Sequence, residues 1–174
     1  MKRLRFLLLD AGPVLKLFEL GLWEEFIARC DVSVCRTVVG EAQWASRGSE
    51  DVCIDLDAYE RDHRIRIEDV PLSRIKAFHD RFDPSYRDRL HDGEKETLAF
   101  LCDTSEDWLV CAADGGVFRT LGLLGRGPQG VSLEKVLAEI GLGRRLDWQF
   151  TEEFRHRYTV MGQRDAIQGG GLAR

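Results

Sequence analysis

Four acids, Asp10, Glu41, Glu94 and Asp114, stand at points where local sequence would bring a carboxylate to the edge of a fold. Asp10 ends the apolar run Phe6-Leu7-Leu8-Leu9 and precedes Ala11-Gly12-Pro13. Asp114 repeats that arrangement between Trp108-Leu109-Val110-Cys111-Ala112 and Gly115-Gly116. Parallel strands put their carboxyl ends on one side of a sheet, so acids that follow two such strands can share a cleft. Glu41 and Glu94 are predicted in the first turns of helices capped by Thr37 and Asp92, Glu41 just above the end of a second strand. Taken singly, each glutamate reads as a solvated helix residue or a complement to the helix dipole. Taken together, the acids would repel one another and stay ionised only if a cation neutralised them. An all-oxygen donor set selects Mg²⁺ or Mn²⁺ rather than zinc. Such an ion activates water and screens phosphate charge, which suits phosphodiester hydrolysis.

Elements must position these acids. Four consecutive apolar residues before Asp10 fit a strand buried on both faces, and Pro13 is predicted at the first position of the next helix. Val14, Leu15, Leu17, Phe18 and Leu20 make that helix apolar, with Gly21 at its carboxyl cap. A second helix carries Leu22, Trp23, Phe26 and Ile27 on one face, Asp31 turns the chain, and residues 32–35 form the next strand. This β–α–α–β opening predicts a parallel sheet. Residues 46–63 show no readable pattern, whereas 64–68 alternate as a short strand and 72–79 form an amphipathic helix after Pro71. The helix from Asp92 buries Leu98 and Leu101, and another spans residues 117–121. Ser132 caps a stripe of Leu133, Val136, Leu137 and Ile140, and Thr151 starts a last helix with Phe154 and Tyr158.

Composition narrows the function. With 174 residues, 44% hydrophobic and 32% charged, the chain is predicted to be one globular domain. A net charge of −5 argues against a wide basic face that coats nucleic acid, but is compatible with a cation held in an acidic pocket. Arginines between residues 61 and 90 alternate with acids and read as an ion-paired surface, some of which could touch a phosphate backbone. Five cysteines without a CxxC pair suggest reduced thiols, and a zinc site from Cys30, Cys35 and a distant His has poor spacing. The basic amino terminus and residues 6–9 are too short an apolar stretch for a signal peptide, and no run approaches ~20 apolar residues. A cytoplasmic protein without membrane contact is expected. Gly125-Arg126-Gly127-Pro128-Gln129-Gly130 matches GxGxxG, but only 44 residues follow it and no convincing second strand is among them, so it reads as a loop. No P-loop is present, no Ser or Cys nucleophile has a local signature, and Gly12 stands where an aspartyl-phosphate enzyme wants a second acid.

With Leu9-Asp10-Ala11-Gly12-Pro13-Val14-Leu15, then Val38-Val39-Gly40-Glu41, then Asp92-Gly93-Glu94-Lys95-Glu96-Thr97 and finally Asp114 at a strand end, the chain resembles the PIN-domain nucleases that carry a DxGE-type third motif. The helix after Ser132 and the segment from Thr151 to Tyr158 resemble the closing part of such proteins, so the likeness covers roughly residues 4–160. It implies a three-layer α/β/α sandwich around a central parallel sheet, with Asp10 in the central strand. It also implies Mg²⁺- or Mn²⁺-dependent cleavage of single-stranded or structured RNA, with Asp10, Glu41, Glu94 and Asp114 as catalytic and metal-holding residues. Many such proteins are toxins neutralised by an antitoxin protein, and homodimers are common among them. A single nuclease domain over residues 1–160 and a flexible tail over 161–174 are expected. The alternative is a PIN-like module that binds RNA or a protein without cutting.

Overall fold

In the computed structural model, which describes residues 4–104 and 107–173, strand β1 (Leu4–Leu9) lies at the middle of the sheet. Helices α1 (Ala11–Glu19) and α2 (Trp23–Arg29) lead to β2 (Cys30–Cys35), and α3 (Arg36–Glu41) follows at once. An antiparallel hairpin of β3 (Trp44–Arg47) and β4 (Glu50–Cys53) precedes α4 (Leu56–Arg61) and β5 (Arg66–Glu68). Next come α5 (Leu72–His79), α6 (Pro84–Arg87), α7 (Asp92–Asp103) and β6 (Leu109–Cys111). Helix α8 (Gly115–Leu123), β7 (Gly130–Val131), α9 (Leu133–Glu139) and α10 (Glu152–Ile167) complete the chain. No helix among the described residues is long and apolar enough to cross a membrane.

The main sheet has five strands in the order β5-β2-β1-β6-β7, all parallel. Strand side chains alternate between two cores. Leu7 and Leu9 join residues of α1, α2 and α9, while Leu8 joins Phe78 of α5, Leu98 of α7, Phe118 of α8 and Phe154 of α10. Helices therefore cover both faces, giving the expected three-layer α/β/α sandwich with β1 central. From β1 the chain winds toward β2 and β5, whereas from β6 it winds toward β7. The winding reverses between β1 and β6, and ligands of open α/β sheets bind above such a reversal.

Several local expectations are revised. Helix α1 begins at Ala11, so Pro13 is its third residue, not its first. Asp31 lies inside β2, because α2 passes straight into the strand at Cys30. Gly130, the last residue of the GxGxxG match, and Val131 form the edge strand β7, and the middle glycine, Gly127, packs under the Thr159 methyl group. The boundary expected at residue 160 falls inside α10. Beyond that helix Gly171 accepts the Asp83 N–H at 3.0 Å, and the Ala173 N–H reaches the Arg81 carbonyl at 2.9 Å.

Helices α8 and α10 meet backbone to backbone through glycines. A Cβ on Gly122 would overlap the Thr159 carbonyl oxygen, and one on Gly162 would overlap the Arg119 carbonyl oxygen. Arg119 then clamps Asp165 with two hydrogen bonds, at 2.6 and 3.0 Å. Alanine would gain ~1 kcal/mol of helix propensity at either site, but the overlap with rigid backbone costs about 3 kcal/mol. Gly162→Ala is accordingly expected to lower stability by roughly 2 kcal/mol, read as a fall in the urea midpoint. An unchanged midpoint would show that the helices can part without cost.

Candidate functional site

The site lies above the reversal point of the sheet. Leu9 pairs in register with both Val34 of β2 and Cys111 of β6, so the three strands end at one level. The Asp10 N–H donates to the Cys111 carbonyl at 3.0 Å, which continues the ladder one residue past β1 and sets Asp10 against β6. Asp10 then occupies the N-cap position of α1, yet its side chain makes no capping bond there. Its residue is 6% exposed and its Oδ1 is buried without a hydrogen-bond partner. A buried carboxylate oxygen left unmatched is costly, and Asp10 lines a cleft of about 360 Å³ together with Gly12, Glu41, His91, Glu94 and Asp114.

Asp114 caps α8, its Oδ1 accepting the Gly116 N–H at 2.5 Å. Gly12 lets the α1 and α8 turns approach, since a Cβ there would stand 2.8 Å from that of Ala113. The same contact leaves no room at position 12 for the second acid of an aspartyl-phosphate enzyme. Glu94 is 5% exposed and lies in the first turn of α7, with its Oε2 accepting the His91 N–H at 3.0 Å. His91, not Asp92, is the N-cap. Asp92 becomes the first helical residue, exposed and paired with Lys95 at 3.3 Å, outside the cleft.

Glu41 differs most from expectation. It is the last residue of α3, not part of its first turn, because the six-residue helix starts at Arg36. Its exposed side chain crosses to α7, and a Cβ on Gly93 would sit 2.6 Å from its Oε2. Glycine at 93 thus admits the Glu41 carboxylate to the cleft wall. Two further residues matter that the motif spacing did not single out. His91 lines the cleft, and Glu96, 3% exposed, accepts the Thr37 N–H at 2.7 Å and the Val70 N–H at 3.4 Å. Glu96 so ties the start of α3 and the exit of β5 to α7. An acid beside a helix amino terminus is its only sequence signal.

The acids sense one another. Burial pushes the Asp10 carboxyl up to about 6; the Ala11 N–H opposes this, while the Glu41 and Asp114 carboxylates add to it. Burial likewise pushes Glu94 up to about 8, followed in effect by the Asp114 charge, with the His91 N–H pulling the other way. Among the described residues, no group of three or more His, Cys, Asp or Glu side chains stands together as a ready ion-binding cluster. The four acids therefore share a cleft without forming a finished cage. The donor chemistry nevertheless fits a hard cation: all four acids offer oxygen donors, and the Asp10 Oδ1 has no competing partner. Cys35 and Cys111 are buried and form no disulfide. Comparison of the chain with family models, curated proteins and solved structures gives no match.

Proposed function

We propose that this chain is a PIN-like ribonuclease that hydrolyses RNA phosphodiester bonds with Mg²⁺ or Mn²⁺ held by Asp10, Glu41, Glu94 and Asp114. The observation that carries this reading is that Asp10, whose buried Oδ1 has no partner, lines one cleft with three other carboxylates. The resemblance of the acid motifs to PIN-domain nucleases supplies the substrate class. A bound divalent ion would contribute an activated water and charge screening on the phosphate.

The chain's own groups divide the remaining work. Asp10 presents a lone pair that the fold does not use. Asp114 has one oxygen fixed by the Gly116 N–H, which leaves the other for a ligand. Glu94, its carboxyl pushed up to about 8 by burial, would hold an ion through its oxygens only after giving up its proton. Glu41 is the exposed arm, its carboxylate seated against Gly93. His91 adds an exposed imidazole to the lining of the cleft.

The purified chain is expected to cleave single-stranded RNA when supplied with Mg²⁺ or Mn²⁺ and to stop in excess EDTA. Fragment lengths on a denaturing gel provide the readout. Cleavage that continues undiminished in EDTA would exclude the four-acid mechanism.

A further inference from the structure

The acid cleft repels a phosphodiester until a cation is bound, so the substrate needs a foothold elsewhere. One exposed face is built for that and touches the site. The ring of Tyr158 lies across Gly115, the residue after Asp114, so closely that a Cβ on Gly115 would stand 2.5 Å from it. Tyr158 packs on Phe154 with ring centroids 4.7 Å apart and leans toward Trp148 at 6.5 Å. Trp148 meets Phe154 edge to face at 4.9 Å, which holds its indole in place, yet the residue stays 45% exposed. Above that indole, 5.7 Å from its centroid, stands the Arg157 guanidinium.

Charge sets this patch apart from its surroundings. Arg155, two residues earlier on the same helix, is tied to Glu152 at 2.6 Å, and Lys16 nearby is tied to Asp147 at 2.7 Å. Arg157 has no acid partner among the described residues and is paired only with the indole. In a chain of net charge −5, an exposed arginine over an exposed tryptophan is a local positive and stacking surface. Aromatic rings beside arginines are how proteins hold unpaired bases without reading sequence. Base pairs in a duplex keep their faces covered, so the surface suits single strands.

We infer that the face formed by Trp148, Arg157 and Tyr158 is a stacking platform for unpaired bases of a nucleic acid strand whose backbone passes over Asp114 into the acid cleft. The assignment of the strand's destination rests on the nuclease reading above; the platform itself does not.

The test measures binding of a fluorescein-labelled single-stranded RNA of about 12 nucleotides, and of its duplex, to the full chain in EDTA by fluorescence anisotropy. Trp148→Ala is expected to weaken single-strand binding about tenfold or more, and Trp148→Phe to restore most of it. Arg157→Ala, at an exposed position that does not hold the fold, is expected to weaken it severalfold, and the duplex to bind less tightly than the single strand. In Mn²⁺ the same variants should raise KM rather than lower kcat. Unchanged single-strand affinity in both alanine variants would overturn the platform and leave the patch to a protein contact. Loss of binding in those variants, with no cleavage by the parent chain in Mn²⁺, would uphold the platform and overturn the nuclease reading. Cleavage by the parent chain with KM unmoved in both alanine variants would do the reverse.

Discussion

Replacing Asp10 with asparagine is expected to abolish cleavage while making the metal-free chain more stable. The two effects share one cause. The Asp10 carboxyl is buried, its Oδ1 has no partner, and burial has moved it from an ordinary 3.8 to about 6. At pH 8 the folded chain must hold that charge against desolvation and against its acidic neighbours, a cost of about 3 kcal/mol at 1.36 kcal/mol per pH unit. Asparagine keeps the shape and removes the charge, but leaves an amide with an unmet bond worth about 1–2 kcal/mol. The net gain should be roughly 1–2 kcal/mol, visible as a higher urea midpoint in EDTA. Cleavage should meanwhile fall more than about 100-fold, beyond the loss typical of groups that only orient a metal ligand. A residue that merely supported the fold would show the opposite pairing, lower stability with activity lost through unfolding. An Asp10→Asn variant that cuts RNA at the parent rate would remove Asp10 from the mechanism.

Without divalent ions, the protein should lose stability as pH rises from about 4 to about 8. The sign follows from the two displaced carboxyls. Asp10 and Glu94 both have folded values above their ordinary 3.8 and 4.5, at about 6 and about 8. Between the ordinary and folded values the native chain binds more protons than the unfolded one, so raising pH favours unfolding. Stability from these groups is fully present below the ordinary values and is gone once pH has passed about 8. Carboxylates such as Asp80, Asp147 and Asp165, which cationic partners pull downward, act in the other direction and only at more acidic pH. Addition of Mn²⁺ should reverse the trend, because the ion needs deprotonated donors and binds better as pH rises. Melting temperature at pH 5.5 and 8.5, with EDTA or with Mn²⁺, is the measurement. We expect the EDTA sample to melt several degrees lower at pH 8.5, and Mn²⁺ to raise melting far more there than at pH 5.5. Equal melting across that range in EDTA would mean that the two carboxyls carry no such strain.

Both expectations depend on residues remote in the chain meeting in one cleft, and the sequence discloses that meeting unevenly. Asp10 and Asp114 are legible because their placement is local: an apolar strand, an acid at its end, small residues, then a helix. Parallel pairing of β1 with β6 does the rest. Ser132 and Thr151 are legible for the same reason, since each caps the helix that begins beside it. Leu72–His79 is readable to the residue because its apolar stripe lies within the segment and Pro71 immediately precedes it.

Local sequence is thus enough for the class of fold, the strand-end acids and the helix starts at Leu72, Leu133 and Glu152, all consequences of contacts within about a turn or a strand. The remainder depends on packing between distant segments. Glu41 reaches the cleft from the end of α3 because Gly93 of α7 leaves space for its carboxylate. Glu96 becomes a tether because Thr37 and Val70 bring their N–H groups to it from other elements. Residues 46–53 lie in a hairpin, although their sequence lacks an apolar alternation, because packing of α1 against β3 supplies the partner surface. In each case the deciding neighbour lies dozens of residues away or on a separate element, and no pattern within the segment records it.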